Sequence, residues 1–161
     1  GPGRVGGRRL QVGGYVGQLY PRAGVQGAPV FLWVGNLDRN KDPITALLAL
    51  DEVFNEYPQA RLYMIYRFDQ MKSEVKEIIE NRPGLRGRVE LLGSKKRAEL
   101  PFYYNSADYI ISSSHKEAGG YSVIEAMACG VVPILSDIPS FQNLTSHGKV
   151  GAVFQAGSEK S

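Results

Sequence analysis

From residue 30 onward, short unbroken apolar runs closed by glycine or polar residues alternate with stretches of helical period. Val30-Phe-Leu-Trp-Val34 is closed by Gly35, the pattern of a strand buried on both faces. Asp42-Pro43 then offers an N-cap followed by proline in the first turn, and Leu47, Leu50, Phe54 and Tyr57 recur at helical spacing, which predicts a helix packed through those positions. Residues 61–66 (Arg-Leu-Tyr-Met-Ile-Tyr) read as the next strand, 71–81 as a helix, Pro83-Gly84 as a break, and 89–92 (Val-Glu-Leu-Leu) as a strand ended by Gly93. A helix is expected over 96–106, shortened or kinked by Pro101, and a strand over 109–112. Residues 131–135 and 151–154 give two further extended pieces, with a loop at 137–140 between them. Strands alternating with helices predict an α/β fold: a doubly wound, mostly parallel sheet with helices on both faces, joined by right-handed crossovers. Ligands of such sheets bind beyond the C-terminal ends of the strands. Gly35, Gly93 and the turn over 112–120 lie at such ends and can line one pocket.

Residues 1–29 break this rhythm. Glycine recurs at 1, 3, 6, 7, 13, 14, 17, 24 and 27, which argues for an irregular segment or linker, with a short strand around 15–20. A phosphate loop is the sharper alternative, but no Gly-Lys-Ser/Thr follows the glycines. The expected division is therefore an irregular segment over 1–29 and a Rossmann-like domain over 30–161.

The most informative stretch is His115-Lys-Glu117-Ala-Gly119-Gly120-Tyr121-Ser122-Val-Ile-Glu125-Ala-Met-Ala-Cys-Gly130. It reads as a strand end, a turn on two glycines, and a short helix starting near Ser122. Such a turn lets a ligand approach the backbone, and the helix points its first free amides into the same space. That combination suits an anion. Glu117 and Glu125 bracket it, and a carboxylate can accept hydrogen bonds from two neighbouring sugar hydroxyls. A nucleotide-sugar, with phosphate in the middle and a polyol at each end, satisfies all three features. The plainer alternative is a capping box, in which Ser122 and Glu125 only satisfy backbone amides at the helix start.

The segment Glu117-Ala-Gly-Gly120-Tyr-Ser-Val-Ile-Glu125-Ala-Met-Ala-Cys-Gly130 resembles the E-x7-E motif of retaining glycosyltransferases with the GT-B fold. The likeness runs from about residue 30 to 155 and corresponds to the C-terminal, nucleotide-sugar-binding half of such an enzyme. It implies that Glu117 contacts the donor sugar, that Glu125 contacts the ribose, and that the amides of Gly120, Tyr121 and Ser122 face the diphosphate beside Gly119. In the loop Gly35-Asn36-Leu-Asp-Arg39-Asn-Lys41-Asp42, Lys41 falls on the lysine that clasps the diphosphate in this family. Asn36 stands where an arginine is expected, which leaves Arg39 as a substitute, and Asp42 replaces the usual glycine. Glu117 and Lys41 are the candidate catalytic residues; the base is expected near Leu92, Gly93 and Ser94; His115 is a further candidate contact, although a loop histidine is the simpler reading. The loop at 137–140 would face the donor sugar. By the same resemblance the reaction retains anomeric configuration and needs no metal or other cofactor. Donor would be a UDP- or GDP-sugar and acceptor a glycan or glycolipid, the latter held by an N-terminal domain that this chain lacks, so that the chain alone binds donor weakly and transfers nothing.

Composition narrows the alternatives without choosing among them. With 161 residues, 43% apolar and 22% charged, the chain suits one α/β domain with a sizeable core. A net charge of +3 without a dense basic run makes nucleic acid a weak expectation. The single cysteine, Cys129, excludes an internal disulfide and suits a reducing cytoplasm; no apolar run approaches a membrane span. Two other readings stay open: a non-catalytic doubly wound module, and a nucleotide-sugar epimerase of the same fold.

Overall fold

The computed structural model describes residues 24–117 and 120–136, together with the backbone of three short strands at 11–12, 15–16 and 152–154. In chain order the elements are β1 (Gln11–Val12), β2 (Tyr15–Val16), β3 (Val30–Val34), α1 (Pro43–Glu56), β4 (Arg61–Ile65), α2 (Lys72–Asn81), β5 (Val89–Gly93), α3 (Leu100–Ser106), β6 (Tyr109–Ser112), α4 (Tyr121–Ala128), β7 (Val132–Ser136) and β8 (Ala152–Phe154). Strands β1 and β2 form a small antiparallel pair. The other six make one sheet in the order β5-β4-β3-β6-β7-β8, parallel at every pairing. The doubly wound parallel α/β fold is therefore present.

Alternation along the strands explains why both faces are covered. Phe31, Trp33, Leu62 and Met64 project to one side, where they pack with Leu47, Leu50 and Phe54 of α1 and Val75 of α2. Val30, Leu32, Tyr63 and Ile65 project to the other and meet Tyr104 of α3 and Ala126 of α4. A strand with two apolar faces needs two apolar covers, and the crossovers supply them. Tyr104 is buried and Tyr109 stacks on Phe31 at 5.0 Å, so these aromatics are packing residues.

Two predicted details differ. Tyr57 does not join the packed face of α1: it is 55% exposed and forms the C-cap, its amide donating to the Val53 carbonyl. Pro58 follows it, and the residue before a proline is held out of the helical region. The helix expected over 96–106 is a 3-10 turn, Arg97–Glu99, running into α3, with Pro101 in the first turn of α3. Proline neither kinks nor shortens a helix there, because its missing N–H is one of the unpaired donors of the first turn anyway. The strand expected around 15–20 corresponds to β2 at its first two positions; 137–140 lies outside the described residues.

The break at Pro83-Gly84 is a packing device as well as a turn. Gly84 donates its amide to Asp51 Oδ1 at 2.8 Å, and a Cβ on it would lie 2.1 Å from the Asp51 carbonyl oxygen. Gly84→Ala must therefore push this turn off α1. We expect a loss of about 2–3 kcal/mol, read as a fall of roughly 5–10 °C in Tm; an unchanged Tm would show that the contact is not needed.

Candidate functional site

Strand order reverses between β3 and β6: from β3 the chain moves outward through β4 to β5, and from β6 it moves the opposite way to β7 and β8. The connections leaving these two strands diverge to opposite faces and open a crevice at their C-terminal ends. The loops over 35–42 and 113–117 border that crevice. Both are the loops singled out by sequence.

Loop 35–42 is tied down at several points. Buried Leu37 anchors it, and the amides of Gly35 and Leu37 donate to the carbonyls of Ile65 (3.1 Å) and Phe68 (2.8 Å). Asp38 Oδ1 accepts from the Lys41 amide at 2.8 Å. The Lys41 side chain then lies over Gly35, where an added Cβ would meet Lys41 Cγ at 3.3 Å. Glycine leaves that room, and the lysine crosses to Glu117: Nζ is 2.5 Å from Oε2, with the two side chains only 25% and 17% exposed. Ser114 Oγ donates to the same carboxylate oxygen at 3.2 Å. The two candidate catalytic residues are thus brought together from positions 76 apart in sequence.

Further contacts brace the two loops. Asn40 pairs with Lys116 twice, Nδ2 donating to the carbonyl at 3.0 Å and Oδ1 accepting from the amide at 2.9 Å. His115 donates its amide to the Asn40 carbonyl, and its Nε2 lies 2.8 Å from Asp42 Oδ2. Ser113 Oγ donates to the Lys41 and Asp42 carbonyls, and Ser136 Oγ to the Ser114 carbonyl at 2.6 Å. His115 therefore has a definite partner in Asp42. Asp42 is itself the N-cap of α1, accepting from the Thr45 amide and hydroxyl, and its backbone is left-handed at φ 49°. That conformation explains how an aspartate stands where the resembling family has glycine: among side chains, Asp and Asn tolerate this region best. Arg39 is exposed and has no ion pair among the described residues.

The helix α4 begins at Tyr121, one residue before the expected start, with buried Gly120 as N-cap at φ 64°. Gly120 has no side chain to cap it, and no side chain among the described residues bonds its first amides. Ser122 and Glu125 therefore do not form the capping box, and Glu125 lies past the first turn rather than in it; with the helix starting at Tyr121, the carboxylate is too far along to reach the first amides. It pairs instead with Arg97 Nη2 at 3.2 Å. Tyr121 is 73% exposed. Gly119 lies outside the described residues.

A hollow of about 220 Å³ opens beside this crevice, lined by Gly35, Asn36, Ile65, Arg67, Ser94 and Lys95 among others. Gly93, at φ 71°, ends β5 at its edge and accepts from the Tyr66 amide, while Leu92 packs in the second core cluster. Sequence reading missed Asn40, Ser113, Ser114, Arg67, Lys95 and Arg97. A signal existed for the serines, since a run of three hydroxyls, Ser112 to Ser114, ends and follows strand β6; the others act through contacts between distant loops. Among the described residues no group of three or more His, Cys, Asp or Glu is placed to hold a metal ion, and no helix is long and apolar enough to cross a membrane.

A clefted parallel sheet of this kind has many relatives, and the comparison with known families decides between them. Residues 20–161 match the family "Glycosyl transferases group 1". The chain belongs to that family. It is 33% identical over 123 residues to a GDP-mannose:cellobiosyl-diphosphopolyprenol alpha-mannosyltransferase of Xanthomonas oryzae, covering 76% of this chain and 32% of that enzyme. It is 28% identical over 142 residues to a phosphatidyl-myo-inositol mannosyltransferase of Mycobacterium leprae, covering 86% of this chain and 35% of the relative. The chain thus spans about a third of the length of these group 1 relatives. Its backbone matches the C-terminal domain of a glycosyl transferase group 1 family protein (LpcC) from Francisella tularensis with a TM-score of 0.75 at 20% identity, over 84% of this chain and 72% of that one. It also matches Anabaena HepE, solved with UDP and glucose, with a TM-score of 0.70 at 24% identity, over 81% of this chain and 35% of that one. Both matches place the group 1 domain in the GT-B Rossmann-like fold.

The double role of Asp42 gives a prediction. Asp42→Gly loses the cap and the contact to His115 but relaxes the left-handed backbone, and should cost less than about 1 kcal/mol, whereas Asp42→Ala loses the same contacts while keeping a Cβ in the left-handed region and should cost about 1–2 kcal/mol more than the glycine variant. Chemical denaturation of the two variants checks the order; equal stability would mean that the backbone relaxes.

Proposed function

We propose that this chain is the donor-binding half of a retaining glycosyltransferase that moves a sugar from a nucleoside diphosphate sugar to an acceptor hydroxyl. The observation that carries the reading is the Lys41–Glu117 pair at the strand-order reversal, next to a helix mouth whose cap, Gly120, has no side chain. Lys41 receives the diphosphate together with the amides of Tyr121 and Ser122, and the anion draws the ammonium away from Glu117. The Glu117 carboxylate then accepts from hydroxyls of the donor sugar, and Glu125 from the ribose diol. As the bond from the anomeric carbon to the phosphate oxygen breaks, its electron pair passes to that oxygen, where the ammonium and the amides stabilise it. The acceptor oxygen bonds to the same carbon from the face the phosphate leaves, retaining configuration, and its proton passes to the departing phosphate.

Metal is not needed for this scheme, because fixed donors already face the developing charge. Asn36 in place of an arginine removes one cation from the diphosphate site, so donor affinity rests more heavily on Lys41. Relatives named as mannosyltransferases acting on lipid-linked or lipid acceptors support an acceptor of glycan or glycolipid type, held by a second half that makes up the rest of such enzymes. The lone cysteine suits work in the cytosol. On this reading the chain by itself binds donor weakly and catalyses no transfer.

Calorimetry with UDP and GDP at high protein concentration tests the site. Lys41→Ala and Glu125→Gln should each weaken binding by about tenfold or more, and Lys41→Ala in a two-domain enzyme should lower transfer by about 10²-fold. Binding that ignores both substitutions would favour a non-catalytic module, and transfer by the chain alone would overturn the division of labour.

A further inference from the structure

The hollow beside the crevice has a divided lining. Val34, Ile65 and Leu100 give it apolar surface, while the charged side chains that line it are Arg67 and Lys95, with no carboxylate among the lining residues. Neither cation pairs with a carboxylate among the described residues, unlike Lys41 and Arg97. Each rests on an aromatic ring instead: the Arg67 guanidinium lies 5.2 Å from the centre of the Phe68 ring, and Lys95 Nζ lies 5.7 Å from that of Tyr103. Such contacts hold a cation in place without consuming its hydrogen-bond donors.

The position of this hollow relates it to the rest of the site. Gly35 and Asn36 form one side and open the loop that carries Lys41, whereas Ser94 and Lys95 form another and lead within two residues to Arg97, the partner of Glu125. A guest whose diphosphate meets Lys41 and whose ribose meets Glu125 has its base between those two segments. The apolar surface suits the face of a flat ring, and it gives a phosphate nothing.

We infer that Arg67 and Lys95 read the edge of the nucleobase and select bases that present a carbonyl oxygen there, uracil or guanine, over the amino bases cytosine and adenine. The inference rests on the reading of the crevice as a nucleoside diphosphate site. Guanidinium and ammonium groups only donate. Uracil offers O4 where cytosine carries an amino group, and guanine offers O6 where adenine does. With the amino bases, donor faces donor.

The test is competition calorimetry with UDP, GDP, CDP, ADP and inorganic pyrophosphate on the unmodified chain and on Arg67→Ala/Lys95→Ala. Lys95 is partly exposed and Arg67 exposed, so the double variant should fold, which its Tm checks. The unmodified chain should bind UDP or GDP, or both, at least about tenfold more tightly than CDP and ADP. In the variant UDP should fall within about threefold of CDP, and GDP within about threefold of ADP, with pyrophosphate binding unchanged. Equal affinity for UDP and CDP and for GDP and ADP, or selectivity surviving in the variant, overturns the assignment while leaving the nucleotide site standing. An equal loss for pyrophosphate overturns it too, because the cations then hold phosphate. Absence of binding by every nucleotide removes both readings together.

Discussion

A parallel sheet whose strand order reverses cannot close its own seam, and in this chain the seam falls between β3 and β6. The backbone leaves these neighbouring strands toward opposite faces, so the space between the two departing loops is bounded by polar ends and loop backbone. Lys41 and Glu117 span that space. Their pairing is largely shielded from solvent, where an ion pair is screened less than at the open surface. An ionic contact held in that way is well suited to being exchanged for a guest that carries both anionic and hydroxyl groups.

Exchange of partners requires loops that stay where they are. The contacts from Asn40 to Lys116, from Ser113 to the Lys41 and Asp42 carbonyls, and from His115 to Asp42 bind one loop to the other through groups other than the Lys41–Glu117 pair itself. The frame therefore does not depend on the ion pair, and the ammonium can change partner without the loops separating. On the proposed reading, preorganisation of this kind lets fixed donors act on a developing charge without first being assembled. Glu125 stands in a parallel situation: its partner Arg97 is 87% exposed, and a surface ion pair of that kind contributes about 0–1 kcal/mol, so on the proposed reading a diol displaces it at little cost.

Much of the frame was legible in the sequence because it depends on local causes. Val30–Val34 declared itself by five consecutive apolar residues, and the start of α1 by Asp42 and Pro43, whose chemistry acts within one turn. The errors were of two kinds. Tyr57 and Pro101 were read by period and by general helix aversion, although their outcome depends on a neighbouring residue and on the exact register of the helix start. Glu125 was compatible with a cap by spacing alone, but a shift of one residue in the start of α4 moved it out of reach of the first amides. The seven-residue spacing of Glu117 and Glu125 carried nothing about which basic side chain each acid would meet.

By itself, then, the chain's order of residues determined that alternating strands and helices would form, that their sheet would be parallel and covered on both faces, and that two glycine-containing loops would end up at its C-terminal edge. Those outcomes follow from periodicity and turn chemistry, which act over a few residues. Tertiary structure alone decided that Lys41 would meet Glu117, that Arg97 would meet Glu125, and that Arg67 and Lys95 would flank one hollow. Each of these joins loops following different strands, and their separation is set by strand order and twist, quantities that emerge only when the whole sheet has assembled.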